Sequence, residues 1–215
     1  MQTILITGFE PFAGDTLNPS LEAIRLLASL RVEGVKLAVA PLPVSARRIE
    51  AALREALEAH RPDVVIAVGQ AGGRSELSVE RVAINVDDFL IPDNDGYQPV
   101  DGPVVPGGPA AYFSTLPLKA MVHRMRAAGV PAQVSQTAGT FLCNHVFYLA
   151  RHLAETAFPG MRAGFIHVPA LPEQAARSPG QCSMALETIV TGLKAAIETV
   201  RTVQTDLRVS EGQTH

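Results

Sequence analysis

Short apolar runs, each followed by a loop and then by a stretch with helical spacing, constrain this chain more than any other feature. Ile4-Leu5-Ile6-Thr7 is stopped by Gly8. Asn18-Pro19 then offers an N-cap and a first helical position for a helix over residues 19–30, in which Leu21, Ile24, Leu27 and Ala28 share one face. A second run from Val35 to Ala40 leads through Pro41 to Ser45. That serine is expected to cap a helix carrying Ile49, Leu53, Ala56 and Leu57. Val64 to Val68 is a third run. The alternation resumes with a helix over Leu116 to Ala127, a strand near 130–135, a helix over 141–154, a strand from Arg162 to Val168 and a helix over 183–200. Apolar strands flanked by amphipathic helices bury both faces of a sheet only when helices cover both sides. The expected fold is therefore a three-layer α/β/α sandwich around a central mixed, largely parallel sheet.

Between these blocks Val79 to Val86 reads as one extended stretch, and residues 87–111, rich in Asp, Pro and Gly, as an excursion from the sheet. With 215 residues, 47% of them hydrophobic, the chain has material for one sizeable core. We expect a single α/β domain over residues 1–205 and a polar, frayed tail over 206–215. Eighteen Lys and Arg against 21 Asp and Glu give a net charge of -3, which supplies no basic face for nucleic acid and no polybasic membrane anchor. No apolar run approaches the roughly 20 residues of a membrane span, and Met1-Gln2-Thr3 leads straight into Ile4 without a basic segment or a small-residue cleavage signal. The expectation is a cytoplasmic protein with no membrane partner.

Chemistry concentrates in Gln136-Thr137-Ala138-Gly139-Thr140-Phe141-Leu142-Cys143-Asn144-His145. If Thr140 caps the helix, Cys143 is its third residue. Unpaired backbone N–H groups and the positive end of the helix dipole would there favour a thiolate and stabilise an oxyanion. The plainer alternative has Cys143 facing the core beside Val146 and Phe147. The other cysteine, Cys182, stands far away, without CxxC spacing, and no HExxH or other metal pattern occurs. A nucleophilic thiol needs a base. His145, two positions along the same helix, faces away from it, whereas His167 lies near the end of an apolar strand, where parallel sheets present ligand-contacting groups. Glu80, an acid in an otherwise apolar strand, could orient a histidine ring, or could pair with Arg81 or Arg74. Spacing alone does not bring positions 80, 143 and 167 together. The glycines of Gly69-Gln70-Ala71-Gly72-Gly73-Arg74 follow a strand and leave a phosphate-handling enzyme as an alternative, although the pattern is neither GxGxxG nor GxxxxGK. Phe9 and Phe12, just after the first strand, are candidates to line an apolar pocket or to anchor their loop.

Several of these segments carry a resemblance. Gly8-Phe9-Glu10-Pro11-Phe12 with Asn18-Pro19-Ser20, the stretch from Gly69 through Glu80-Arg81-Val82-Ala83-Ile84-Asn85, and Ser135 through Cys143-Asn144 to Phe147-Tyr148 are similar, in the same order, to the type I pyroglutamyl-peptidases. The resemblance spans roughly residues 4–200. It implies a cysteine exopeptidase that removes an N-terminal pyroglutamyl residue from peptides through a thioester. Cys143 would be the nucleophile, His167 the general base and acid, and Glu80 the residue orienting His167. It further implies a lactam pocket with Phe9, Phe12 and the backbone around Gln70, no cofactor, and a tetramer. One departure stands out: the family usually reads Asp-Ala-Arg-Ile where this chain has Asp88-Phe89-Leu90-Ile91. Leu90 cannot supply the arginine's charge or donors, which keeps a catalytically weakened, peptide-binding homologue as an alternative.

Overall fold

The structure is a computed structural model that describes residues 1–212. Its main sheet has six strands in the order β2-β1-β3-β8-β4-β7. The strands are β1 (Gln2–Phe9), β2 (Val35–Leu42), β3 (Val64–Gln70), β4 (Leu77–Glu80), β7 (Ala132–Ser135) and β8 (Arg162–Val168). A separate pair consists of β5 (Val82–Ile84) and β6 (Ala111–Phe113). All neighbours in the main sheet run parallel except β4 and β8. The helices are α1 (Pro19–Ala28), α2 (Ile49–His60), α3 (Leu118–Ala127), α4 (Leu142–Thr156), the short α5 (Pro172–Ala175) and α6 (Leu186–Thr202).

Alternation along the strands divides the apolar residues into two cores. Ile4 and Ile6, Val64, Ile66 and Val68, and Ile166 and Val168 pack with α1, α3 and α6. Leu5, Val65, Ala67, Ala163 and Phe165 pack with α2 and α4 on the other face. The three-layer sandwich read from the sequence is the observed one.

The local signals hold to different degrees. Asn18 caps α1 as expected, its side-chain oxygen accepting from Ser20 N at 3.0 Å, with Pro19 at the first position. Ser45 acts one turn early: its carbonyl accepts from Arg48 and Ile49, its hydroxyl donates to Asp95, and α2 begins only at Ile49. The last helix starts at Leu186 rather than 183, because Ser183 bridges to Ala170 and Met184 N donates to Ala170 O. The extended stretch 79–86 is two strands in two sheets. Arg81 is the joint, donating from its N to Ser135 O and accepting at its O from Ser114 N.

Residues 206–212 are held against the body instead of fraying. The Asp206 carboxylate accepts from the backbone N–H groups of Lys119 and Ala120, capping α3, and Glu211 pairs with Arg126 at 2.9 Å. Residues 213–215 of the expected tail lie outside the described residues.

Candidate active site

Strand parity puts the expected residues on one face before any distance is measured. Gly69 and His167 continue the alternation of Val65 and Ala67 on β3 and of Ala163 and Phe165 on β8, toward the α2 and α4 layer. On β4, Leu77 and Val79 join the opposite core, which turns Glu80 to the same side. In the antiparallel β4–β8 pair Glu80 stands opposite Phe165, so His167 is its diagonal neighbour. His167 Nδ1 lies 2.7 Å from Glu80 Oε1. A carboxylate only accepts, so Nδ1 carries the hydrogen and Nε2 is left as the basic nitrogen.

Cys143 reaches this place from the helical layer. Phe141, not Thr140, is the N-cap residue of α4, because the Thr140 hydroxyl donates to Asp88 O at 2.7 Å. Cys143 is thus the second helical residue, one position earlier than expected, still within the turn whose N–H groups have no acceptor inside the helix. Its sulfur occupies the space that Gly69 leaves open: a Cβ built on Gly69 would stand 2.7 Å from Cys143 Sγ and 2.8 Å from Phe165 Cζ. Gly69 is in turn the register partner of His167. The helix start is pinned by Asn144, whose side chain donates to Ile84 O and Val86 O and accepts from Ile84 N. Glu80, Cys143 and His167 are therefore gathered at one point of the sheet.

The electrostatics correct one expectation. Burial, reinforced by the negative charge of Glu80 and opposed by Arg74, pushes the Cys143 thiol up to about 12. Burial thus works against the thiolate that the helix start favours. Burial also lowers the His167 pKa below its ordinary value, against the hydrogen bond and charge of Glu80, which raise it, and with the charge of Arg74, which lowers it further. Both shifts favour the neutral forms, thiol and imidazole, in which the imidazole can take the thiol proton.

Next to the sulfur lies a small, largely apolar cavity of about 40 Å³. Phe9, Phe12 and Gln70, all three expected there, line it together with Phe141, Leu142 and Cys143, and Asn18 and Val44 complete the wall. Gln70 Oε1 accepts from Gln174 Nε2 at 3.4 Å, which leaves the Gln70 amide hydrogens as its unspent donors. Phe141 escaped the sequence reading. Its ring lies between Phe12, at 6.2 Å, and the buried Phe89, at 4.6 Å. Its only local signal was a place beside the presumed helix cap.

Of the two arginines considered as partners of Glu80, Arg74 takes the position at 2.6 Å, while Arg81 turns to Gln136 and to Glu211 O. In the loop after β3 the sulfur thereby accounts for Gly69, and the carboxylate of Glu80 for Arg74. Leu90 points into solvent, 94% exposed. A second buried pair, His145 Nδ1 to Asp87 Oδ2 at 2.8 Å, was not anticipated. Among the described residues no group of three or more His, Cys, Asp or Glu could hold a metal ion, and no helix is long and apolar enough to cross a membrane.

Known proteins match the chain over nearly its whole length. The family model described as pyroglutamyl peptidase matches residues 2–203. The pyrrolidone-carboxylate peptidase of Cupriavidus taiwanensis is 58% identical over 220 residues, covering all of both chains. That of Escherichia fergusonii is 53% identical, again over the whole of both. Among solved structures, pyroglutamyl peptidase I of Bacillus amyloliquefaciens superposes with a TM-score of 0.94 at 42% identity, over 96% of this chain and 100% of that one. The pyrrolidone carboxyl peptidase of Thermococcus litoralis gives 0.93 at 36%, over 98% and 100%. Fold and extent of match coincide over nearly the whole length, and the chain belongs to the pyroglutamyl peptidase family.

Proposed function

We propose that Cys143, His167 and Glu80 carry out, in this chain, the reaction of its family. The protein is a cysteine exopeptidase that removes an N-terminal pyroglutamyl residue from peptides through an acyl-enzyme. In the proposed sequence His167 Nε2 takes the thiol proton as Sγ bonds to the pyroglutamyl carbonyl carbon. The oxygen, now negative, faces the free N–H groups at the start of α4. The C–N bond breaks, the leaving amine takes the proton from Nε2, and a thioester remains. Water then gives a proton to Nε2 and attacks the thioester. Collapse expels the sulfur, which recovers that proton, and free pyroglutamate leaves. Glu80 keeps the hydrogen on Nδ1 and offsets the charge of the transient imidazolium. The observation that carries this reading is the 2.7 Å Glu80–His167 pair on the sheet face where the sulfur rests over Gly69.

Phe9, Phe12 and Gln70 are the proposed contacts of the lactam ring, joined by Phe141. The cavity wall is aromatic and aliphatic, with Gln70 and Asn18 as polar groups and no carboxylate. A neutral lactam enters such a site without leaving a charge unpaired, whereas a prolyl ammonium must shed water with no counter-charge. The deciding experiment compares chromogenic pyroglutamyl and prolyl amides with reduced enzyme in the absence of metal and nucleotide. Much faster release from the pyroglutamyl amide is expected; equal or faster release from the prolyl amide overturns the pocket assignment.

Self-association, to a tetramer by analogy with the family, is also proposed. It is supported by Leu90, Val100 and Phe113, at 94%, 75% and 67% exposure, on the excursion between β4 and α3. The proposed compartment is the cytoplasm, whose reducing conditions suit an enzyme that works through a free thiol.

A further inference from the structure

One charged side chain at the site has no task in the three-residue reading. Arg74 lies in the loop between β3 and β4. Its Nη1 donates to Glu80 Oε1 at 2.6 Å and to Ser135 Oγ at 3.3 Å, and its Nη2 donates to Thr137 O at 3.0 Å. A single guanidinium thereby ties together the end of β4, the end of β7 and the loop that leads into α4. The carboxylate oxygen it takes is the one His167 uses, while Glu80 Oε2 is buried with no hydrogen-bond partner. Two donors converging on one oxygen fix the carboxylate rotamer far more tightly than either alone. Without Arg74, a fully buried Glu80 would answer only to the neutral imidazole, an uncompensated charge of a costly kind. Arg81 does not substitute, since it is engaged with Gln136 and Glu211, and exposed Leu90 adds no charge.

We propose that Arg74 is a positioning residue for the reaction: it aims the Glu80 carboxylate at His167 and locks the Thr137 turn, and with it the approach to Cys143, against the same anchor. The inference rests on the roles given above to Glu80 and His167. The charged and titratable groups facing His167 are Glu80 from β4, Arg74 from the β3–β4 loop and Cys143 from α4. Arg74 is the positive one, and its charge weakens proton binding at His167. Its removal should therefore move the acid limb of kcat/KM to higher pH.

The test is the pH profile of kcat/KM, with kcat and KM separated, for R74Q, R74K, E80Q and H167A, each checked for folding by circular dichroism. R74Q is expected to lose about 10- to 100-fold in kcat/KM, the scale of a charge-assisted hydrogen bond. The loss should fall mainly on kcat, with the acid limb displaced upward. R74K keeps the charge but lacks the planar fork that serves several acceptors at once. It should hold the limb near the wild-type position while recovering only part of kcat, and it is the deciding variant if R74Q does not fold. A wild-type limb and a kcat within about twofold in R74Q overturn the proposal, as does equal impairment of R74Q and R74K with the limb unmoved in both. If E80Q and H167A were themselves near wild type, the underlying assignment would fail instead, whatever Arg74 does.

Discussion

Two buried histidine–carboxylate pairs lie close together in this fold, and only one of them is given a role in chemistry. His167–Glu80 closes at 2.7 Å and His145–Asp87 at 2.8 Å, each through Nδ1, and each carboxylate keeps one buried oxygen without a partner. Their surroundings differ. Glu80 is also held by Arg74, and the sulfur of Cys143 lies over the residue paired with His167. Asp87 is instead bridged to Gly102 by backbone bonds in both directions. The second pair therefore stitches the start of the 87–111 excursion onto α4 just beyond Cys143. A histidine–carboxylate bond by itself does not mark a base; what lies beyond the ring and behind the carboxylate does.

The largest expected effect separates the two histidines. His167→Ala should reduce kcat by about a thousandfold or more, the scale of losing a general base that also reprotonates the leaving group. His145→Ala should leave kcat within a few-fold and appear instead as a lower Tm. Equal loss of turnover in two equally folded variants would erase the distinction.

The carboxylates come next. Glu80→Gln should cost less than His167→Ala, because an amide can still hold the ring while failing to offset an imidazolium. Asp87→Asn should change the denaturation midpoint more than the rate. A kinetic penalty for Asp87→Asn rivalling that of Glu80→Gln would mean that the excursion belongs to the reaction centre.

A smaller effect concerns pH. The His167 pKa is lowered in the folded protein, so between its folded value and the ordinary value of about 6.5 the unfolded chain binds more protons. Its contribution to stability is therefore full above about 6.5 and is lost as pH falls through the folded value. Over the same range the acid limb of kcat/KM should lie below the ordinary histidine pKa. Cys143 works in the opposite direction. Its raised pKa gives stability that is full below the ordinary thiol value of about 8.5 and fades as pH rises toward about 12. Replacing Cys143 by Ser should flatten that alkaline decline in chemical denaturation, and an unchanged slope would place the thiol in water.

The smallest expected effects lie in the cavity. Phe12→Ala and Phe141→Ala should each raise KM by roughly three- to tenfold, with little change in kcat when chemistry is slower than dissociation. A fall in kcat alone would mean that these rings position the sulfur and not the substrate.

The layers and both cores are legible in the sequence because alternation and helical spacing are local properties. The same alternation already encodes that Gly69, Glu80 and His167 share a face, once the strands are known. Three features were not legible, each for a long-range reason. The division of 79–86 at Arg81 depends on Ser114 and Ser135. The cap of α3 comes from Asp206, in a segment read as a frayed tail. Thr140 looks like a cap until Asp88, more than fifty positions earlier, claims its hydroxyl. The choice of Arg74 over Arg81 is of the same kind, since two arginines on either side of Glu80 in the sequence cannot be ranked without knowing which side of β4 faces α4. The family resemblance supplied the three-residue grouping that spacing alone left open.

The strand order carries a consequence for biosynthesis. β8 lies between β3 and β4, yet it is the last strand of the main sheet to be made. A growing chain can pair β1, β2 and β3 early, and β4 with β7 later, but the two pieces have no seam until residues 162–168 arrive. His167 sits in that seam, so nucleophile and carboxylate wait, already synthesised, for the strand that joins the halves of the sheet. Ribosome-bound chains halted before β8 emerges should accordingly remain protease-sensitive throughout the β4–β7 half, and a sharp gain in resistance should accompany its release.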